Sequence, residues 1–474
     1  MLTNQEFNAE AKTLVDWMSN YLEKVEKYPV LSKVKPGEIT AQLPTDFPEE
    51  GEPMARIFQD FEDKIMPGIT HWESPNFFAY FPASKSKASI LAEMITATLG
   101  VQGMVWLTSP AATELEDVMM IWMRDLLGLP ASWSGSIQDT ASNGTLNALL
   151  TAREKASHFQ INENGFYGQA QYRIYCSEHA HSSIDKNVKI AGFGINNLVK
   201  VAVDDDFAMI PEALDEAIQS DIQNGYKPLF VMSALGTTSS TAIDPLDDIS
   251  NICEKYKLWL HVDAAYAGAA LIIDQNRWMS KGIEKADSFV FNPHKWLFTN
   301  FDCSLYYVKD KQALINTFSI TPEYLKTAAD EEVNNYRDWH IQLGRRFRSL
   351  KLWFVLRSFG AKKLRSIIQD HCEWARWLAE EIKSSPDFEL LAPVPVNLVC
   401  FRYKPNGMAE EKLDSINEAL LNAINQEGKI FMTHTKLNGK YTLRWVGGHP
   451  ELSFAHVSKA WERIQRHAIS LNTD

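Results

Sequence analysis

The distribution of apolar positions divides the chain into three stretches with different periods. Up to about residue 85 the pattern starts helical, with Phe7, Ala11, Leu14, Val15, Met18 and Leu22 three and four apart, and then becomes a proline-rich extended run from Pro29 to Pro53. Such a segment cannot build a core of its own, so it is expected to pack on something else. Between 86 and 360, short apolar runs at 173–176, 198–203, 229–232, 258–262, 288–291 and 304–308 alternate with helical patterns. That alternation predicts an α/β layer with a mostly parallel central sheet, because parallel strands need crossover connections. From 361 to 474 the pattern predicts a small α+β domain. It comprises a long helix carrying Trp374 and Trp377, a strand at 398–401, a helix stopped by Gly428, and two strands joined by Asn438-Gly439, a strong hairpin signal. No repeat or low-complexity tract interrupts this order.

Two of the strand exits carry chemistry. The run 258–262 leads into Asp263-Ala264-Ala265-Tyr266-Ala267-Gly268, and 288–291 leads into Asn292-Pro293-His294-Lys295-Trp296. An Asp at a strand end is ordinarily a turn or cap residue, and a lysine after a strand is ordinarily a solvated charge. Here both are embedded among apolar and aromatic residues, where an unpaired charge is costly. Together they supply what pyridoxal 5′-phosphate (PLP) requires, an amine for its aldehyde and a carboxylate for its ring nitrogen. A seat for the phosphate is also present: the small residues Thr140-Ala141-Ser142-Asn143-Gly144-Thr145 precede the helical pattern of Leu146, Leu149 and Leu150. A helix N-terminus of this kind stabilises an anion, although the same residues would serve as an ordinary N-cap. Alternation also puts His261 and Asp263 on one face of a strand, and with His294 they could be imagined around a metal. No third ligand has useful spacing and a metal leaves Lys295 without a role, so no metal site is expected.

Composition narrows the partners. A net charge of −13 argues against nucleic acid or an anionic membrane surface. The five cysteines are scattered without a Cys-x-x-Cys spacing, which indicates neither a disulfide framework nor a thiolate zinc site. The start of the chain has no basic stretch followed by an apolar one, and no apolar run is long enough to span a bilayer, so the cytoplasm is the expected location.

Several motifs in one order carry a resemblance. His71-Trp72, Ser74 to Pro82, Ser109 to Glu116, His261 to Gly268, Asn292 to Trp296 and Leu343 to Arg348 resemble the PLP-dependent aromatic L-amino acid decarboxylases along nearly the whole chain. The resemblance implies a fold-type I PLP enzyme, a homodimer whose N-terminal segment (1–85) wraps the partner, a large PLP-binding domain (86–360) and a small C-terminal domain (361–474). It implies Lys295 as the residue linked to PLP and Asp263 at the ring nitrogen. Ala141 and Ser142 would lie at the phosphate with Asn292 assisting, Thr238 near the ring hydroxyl, Ala265 against one ring face, and His294 beside the lysine. His181 would stack on the other face and touch the substrate carboxylate. Thr321 to Lys326 and the polar residues up to Asn335 resemble the family's mobile catalytic loop, with Tyr324 as proton donor, and the loop is about two residues shorter than in animal enzymes.

Trp72, Tyr80, Phe81, Pro82, Ala83, Met104 and Gly344 are the implied substrate residues, an apolar, ring-shaped set without an arginine to pair an acidic side chain. Ala83 stands where animal enzymes carry threonine, Met104 where phenylalanine is usual, and Gly144 where other members carry a larger residue. Gly344, where some tyrosine-preferring plant members carry serine, leaves room for an indole. The expected activity is decarboxylation of an aromatic L-amino acid (phenylalanine, tyrosine, tryptophan, DOPA or 5-hydroxytryptophan) to its amine. The alternatives are an aromatic aldehyde synthase, which couples decarboxylation to oxidative deamination, and a non-catalytic PLP-binding homologue.

Overall fold

The apolar runs of the middle region come together in one seven-stranded sheet. The structure is a computed structural model that describes residues 2–320 and 332–471. In chain order the strands are β1 (Ser134–Gln138), β2 (Tyr172–Ser177), β3 (Leu198–Val201), β4 (Lys227–Ala234), β5 (Trp259–Asp263), β6 (Ser288–Phe291) and β7 (Ser304–Val308), arranged β1-β7-β6-β5-β4-β2-β3. The five from β3 to β6 are mutually parallel, and β7 is antiparallel to both its neighbours, β6 and β1. Consequently β1 points the same way as the parallel five, and six strands bring their carboxyl ends to one edge, where open α/β sheets hold their ligands. β5, β6 and β7 are buried at every position, which is why they read as continuous apolar runs rather than as alternating ones.

β1 has no such run. Its sequence, Ser-Gly-Ser-Ile-Gln, places a glycine where a Cβ would stand 2.4 Å from Met120 Cε and 2.7 Å from the Tyr307 ring, so small residues are what let it pair beside β7.

Two compact units make up the chain. One comprises Met1–Pro82, Trp377–Leu391 and Cys400–Asp474, and the other Ala83–Arg376 with Ala392–Val399. In the first, helix Asn4–Lys24 opens on a reciprocal cap: Glu6 N–H donates to Thr3 Oγ1 at 3.2 Å and Thr3 N–H to the Glu6 carboxylate at 2.8 Å. No residue of that helix is buried, and Phe7 and Val15 stand exposed. The strands β8 (Phe388–Leu390), β9 (Leu398–Tyr403), β10 (Thr433–Leu437) and β11 (Lys440–Val446) form a second sheet in the order β10-β11-β9-β8. The hairpin signal is realised, with Asn438 at φ 50° and Gly439 at φ 78°. Gly428 closes helix Glu410–Glu427 in the left-handed conformation. The long helix Arg348–Ser384 breaks at Gly360 (φ 67°, ψ 156°).

Candidate active site

Within the second unit, the expected cofactor residues gather at the carboxyl edge of the sheet. Ala141 and Ser142 follow β1, His181 follows β2, Thr238 follows β4, Asp263 ends β5, and Asn292, His294 and Lys295 follow β6. The exits of β5 and β6 are tied to each other: Asn292 N–H donates to Ala265 O at 3.1 Å, and Ala264 N–H to Val290 O at 3.0 Å. The Asp263 carboxylate is buried and its Oδ1 accepts the Ala265 N–H at 3.0 Å, which fixes its rotamer. Lys295 sits in the single helical turn Pro293–Trp296. Burial holds its amine below the usual lysine range, and the charge of Asp263 opposes that shift. An amine that loses its proton more readily is a better nucleophile, and its carboxylate neighbour limits how far the shift goes.

His181 is shifted in the same direction. Burial lowers its pKa, Asp263 pulls it up and Lys295 pushes it down. Its Nδ1 accepts the Ser183 N–H at 3.2 Å and lies 2.9 Å from Ser183 Oγ, so the proton of the neutral ring resides on Nε2. His294 is buried, its Nδ1 accepts the Cys303 N–H at 2.9 Å, and burial lowers its pKa to about 3.

The helix after β1, Ala141–Ala156, has the features of an anion seat. Its N-cap Thr140 makes no side-chain cap, because Asp139 Oδ1 engages Thr140 N–H at 2.6 Å and Asn143 Nδ2 at 2.6 Å. The first-turn amides of Ala141 and Ser142 therefore have no internal competitor among the described residues, at the positive end of a four-turn helix. Gly144 explains how close the helix comes: a Cβ there would lie 2.8 Å from Val290 Cγ2 and 3.4 Å from the Tyr306 ring. Asn292 adds an unmet demand, since its side chain is buried and Oδ1 has no hydrogen-bond partner among the described residues. The side-chain amide can rotate to present Nδ2 instead, a donor suited to a phosphate oxygen. An amine held below its usual range by burial, a buried carboxylate, open helix amides and an unsatisfied amide side chain fit PLP.

The expected substrate residues divide between the units. In the first, Trp72 stacks on Phe77 (centroids 4.3 Å apart) and Tyr80 (5.8 Å), both rings of Trp72 and Tyr80 remaining exposed. Phe81 lies under a cation that sequence reasoning did not single out: the buried Arg444 guanidinium is 5.6 Å from its ring centroid and donates to Thr433 Oγ1 at 3.1 Å. Arg444 sits in an ordinary strand pattern, so nothing in the sequence marks it. In the second unit, Met104 and Gly344 lie on neighbouring segments joined by Gly103 N–H to Arg345 O at 2.9 Å. Arg345 locks them by donating to Glu116 Oε1 at 2.6 Å and Ile137 O at 2.8 Å, with both charged side chains buried. A Cβ on Gly344 would make ordinary contact with Gln102 at 3.6 Å, so this glycine is not demanded by crowding. Ala83 begins the second unit. Tyr324 lies outside the described residues. No group of three or more His, Cys, Asp or Glu able to hold a metal exists among the described residues.

Residues 36–404 match the model of the pyridoxal-dependent decarboxylase conserved domain. The chain is 42% identical to tyrosine decarboxylase 4 of Petroselinum crispum, an alignment covering 99% of this chain and 94% of that one. It is also 42% identical to a phenylacetaldehyde synthase of Arabidopsis thaliana, covering 97% and 95%. Among solved structures, Catharanthus roseus tryptophan decarboxylase in complex with L-tryptophan superposes with a TM-score of 0.94 at 38% identity, covering 99% of both chains.

Proposed function

Because the chain belongs to the pyridoxal-dependent decarboxylase family, we propose that it removes the carboxyl group of aromatic L-amino acids and releases the corresponding arylalkylamine and CO2. The observation that carries this reading is the pairing of Lys295 and Asp263 at adjacent strand exits, with the open end of helix Ala141–Ala156 on the same edge of the sheet. When bound, PLP supplies an aldehyde to join the substrate amine and a protonated ring that draws off the electron pair left by departing CO2.

The protein's residues have separable tasks. The amides of Ala141 and Ser142 and the Asn292 side chain hold the phosphate. Lys295 offers the amine that links the cofactor and is displaced by substrate. Asp263, already oriented by Ala265, keeps a proton on the ring nitrogen without reorganising. Ala265 and Thr238 would border the ring, His294 would back the lysine, and His181 would cover the opposite face and present its Nε2–H to the substrate carboxylate. Tyr324 returns a proton to the substrate α-carbon. One side chain acting as acid or base contributes roughly 3–5 kcal/mol, against about 8–23 kcal/mol for a typical enzyme, so most of the acceleration comes from the cofactor and its electrostatic setting.

For the substrate, Trp72, Tyr80, Phe81, Pro82, Ala83, Met104 and Gly344 favour an aromatic ring. The names of the relatives, a tyrosine decarboxylase and a tryptophan decarboxylase, support the same class. A second reading, an aldehyde synthase, is favoured by the similarity to a phenylacetaldehyde synthase. Tyr324 and His181 support amine as the product. A homodimer is supported by apolar surface that water does not favour: Phe7 and Val15 on helix Asn4–Lys24, and Leu91, Leu99 and Leu107 in the second unit. In that assembly residues 1–85 would wrap the partner, 86–360 carry the cofactor and 361–474 form the small domain. The five cysteines are buried and free, which suits the cytoplasm. Among the described residues no helix is long and apolar enough to cross a membrane.

The test is a product screen over phenylalanine, tyrosine, tryptophan, DOPA, 5-hydroxytryptophan and glutamate, recording amine, aldehyde, peroxide and CO2. Amine and CO2 from an aromatic substrate are expected. Equal kcat/KM for glutamate overturns the aromatic reading, and stoichiometric aldehyde with peroxide overturns the amine product.

A further inference from the structure

We propose that His261 is a positioning residue that bolts the phosphate-facing end of helix Ala141–Ala156 to the two strands bearing Asp263 and Lys295. His261 precedes Asp263 by two positions in β5, so both side chains leave the same face of the sheet. The ring is fully buried, and each nitrogen meets a hydroxyl: Nε2 is 3.1 Å from Thr145 Oγ1 on the helix and Nδ1 is 2.9 Å from Ser288 Oγ on β6. Trp259 Nε1, which can only donate, gives its proton to Ser288 Oγ at 2.9 Å. One directional chain accounts for both ring nitrogens: Trp259 to Ser288, Ser288 to His261 Nδ1, and His261 Nε2–H to Thr145 Oγ1. The ring carries the single proton this needs, because burial lowers its pKa to about 4.

The placement gives the bond its consequence. Thr145 is adjacent to Gly144, whose missing Cβ admits the helix to within contact of Val290. Gly144 thus sets how near the helix lies to β6, and the Thr145–His261 bond sets where along the sheet it stops. His261 faces Ser288 across the β5/β6 ladder, so one ring holds the helix, β5 and β6 in register one layer beneath the site. Those three elements bear the phosphate amides, Asp263, and Asn292 with Lys295. The phosphate, ring nitrogen and aldehyde of PLP are a fixed covalent distance apart, so the spacing of the elements must match it.

The proposal rests on the reading that the Ala141 and Ser142 amides seat the phosphate. It is tested by measuring dissociation constants of PLP and of pyridoxal, which lacks the phosphate, for the full-length protein stripped of cofactor, with melting temperatures recorded alongside. Thr145→Val keeps the β-branched shape and removes only the hydroxyl. Loss of one buried hydrogen bond corresponds to about 5-fold weaker PLP binding, with pyridoxal binding unchanged. His261→Phe severs both bonds and should weaken PLP more than Thr145→Val does, while Thr145→Val decides the question if the phenylalanine variant does not fold. A parent that binds PLP no more tightly than pyridoxal overturns the phosphate seat and this proposal together. A parent that discriminates, beside a Thr145→Val protein that discriminates equally well or loses both ligands by the same factor, overturns the positioning role alone.

Discussion

Adding one methyl group at Gly144 sets two effects of known size against each other. Alanine in place of glycine inside a helix gains about 1 kcal/mol of propensity. The new Cβ, however, would stand 2.8 Å from Val290 Cγ2, whereas carbon atoms rest about 3.5–4.0 Å apart, so the helix or the strand must yield by roughly 0.7 Å. Val290 is fully buried in β6 and is β-branched, so its rotamer offers little relief. Overpacking of this kind costs roughly 1–3 kcal/mol, which leaves Gly144→Ala about 1 kcal/mol less stable on balance. The larger consequence falls on the cofactor. If the helix moves, first-turn amides set for phosphate oxygens near 2.9 Å would sit near 3.6 Å, beyond hydrogen-bonding range. Losing one charge-assisted bond costs about 1.5–3 kcal/mol, or roughly 10- to 150-fold in PLP affinity. Fluorescence titration of the stripped protein with PLP, with thermal melts of the same samples, measures both quantities. A Gly144→Ala protein with parental PLP affinity and an equal or higher melting temperature would show that Val290 yields freely, and the argument for close approach would fail.

Two further outcomes follow from the same geometry and a third from the resemblance. Asp263→Asn keeps the shape that accepts the Ala265 N–H but removes the negative charge, so PLP should still bind while kcat falls by orders of magnitude; near-parental kcat would remove the electrostatic role. His181 is held below its ordinary pKa of 6.5 by burial, and it is protonated only below that lowered value. An acidic limb of kcat/KM owed to His181 should therefore lie under pH 6.5, and a limb at or above 6.5 that vanishes in His181→Asn would contradict the neutral ring. Tyr324→Phe removes the proposed proton donor, so amine release should slow while aldehyde, ammonia and peroxide rise together in air; parental amine output without peroxide would assign the proton to another group.

The parts of this architecture that depend on local pattern were legible in the sequence. Strands buried in the sheet show as unbroken apolar runs, which exposed β2 and β4 to β7, with β3 found from the run 198–203, and the turn chemistry of Gly428 and Asn438-Gly439 was legible because positive φ selects those residue types. Asp263 and Lys295 stood out because charged groups at the ends of apolar strands are costly without a purpose, whereas Asn292 was marked only by the resemblance. β1 was not, since a Ser-Gly-Ser strand owes its burial to Met120 and Tyr307, which pack against it from distant parts of the chain. The same limit hid the Glu116–Arg345 pair, the Arg444 guanidinium over Phe81 and the Thr145–His261–Ser288 chain. Each joins residues far apart in sequence, so no spacing rule announces them. Gly144 was visible as a departure from the resembled family, but its reason, the proximity of Val290, is purely tertiary.

The claim that everything else depends on is that PLP is carried on Lys295 beside Asp263. Borohydride reduction of the purified holoenzyme, followed by peptide mass mapping, tests it most directly. The account predicts a single cofactor-sized mass addition on the peptide containing Asn292-Pro293-His294-Lys295-Trp296, absent from Lys295→Ala. A reduced adduct on any other lysine, or an undiminished adduct in Lys295→Ala, would contradict it.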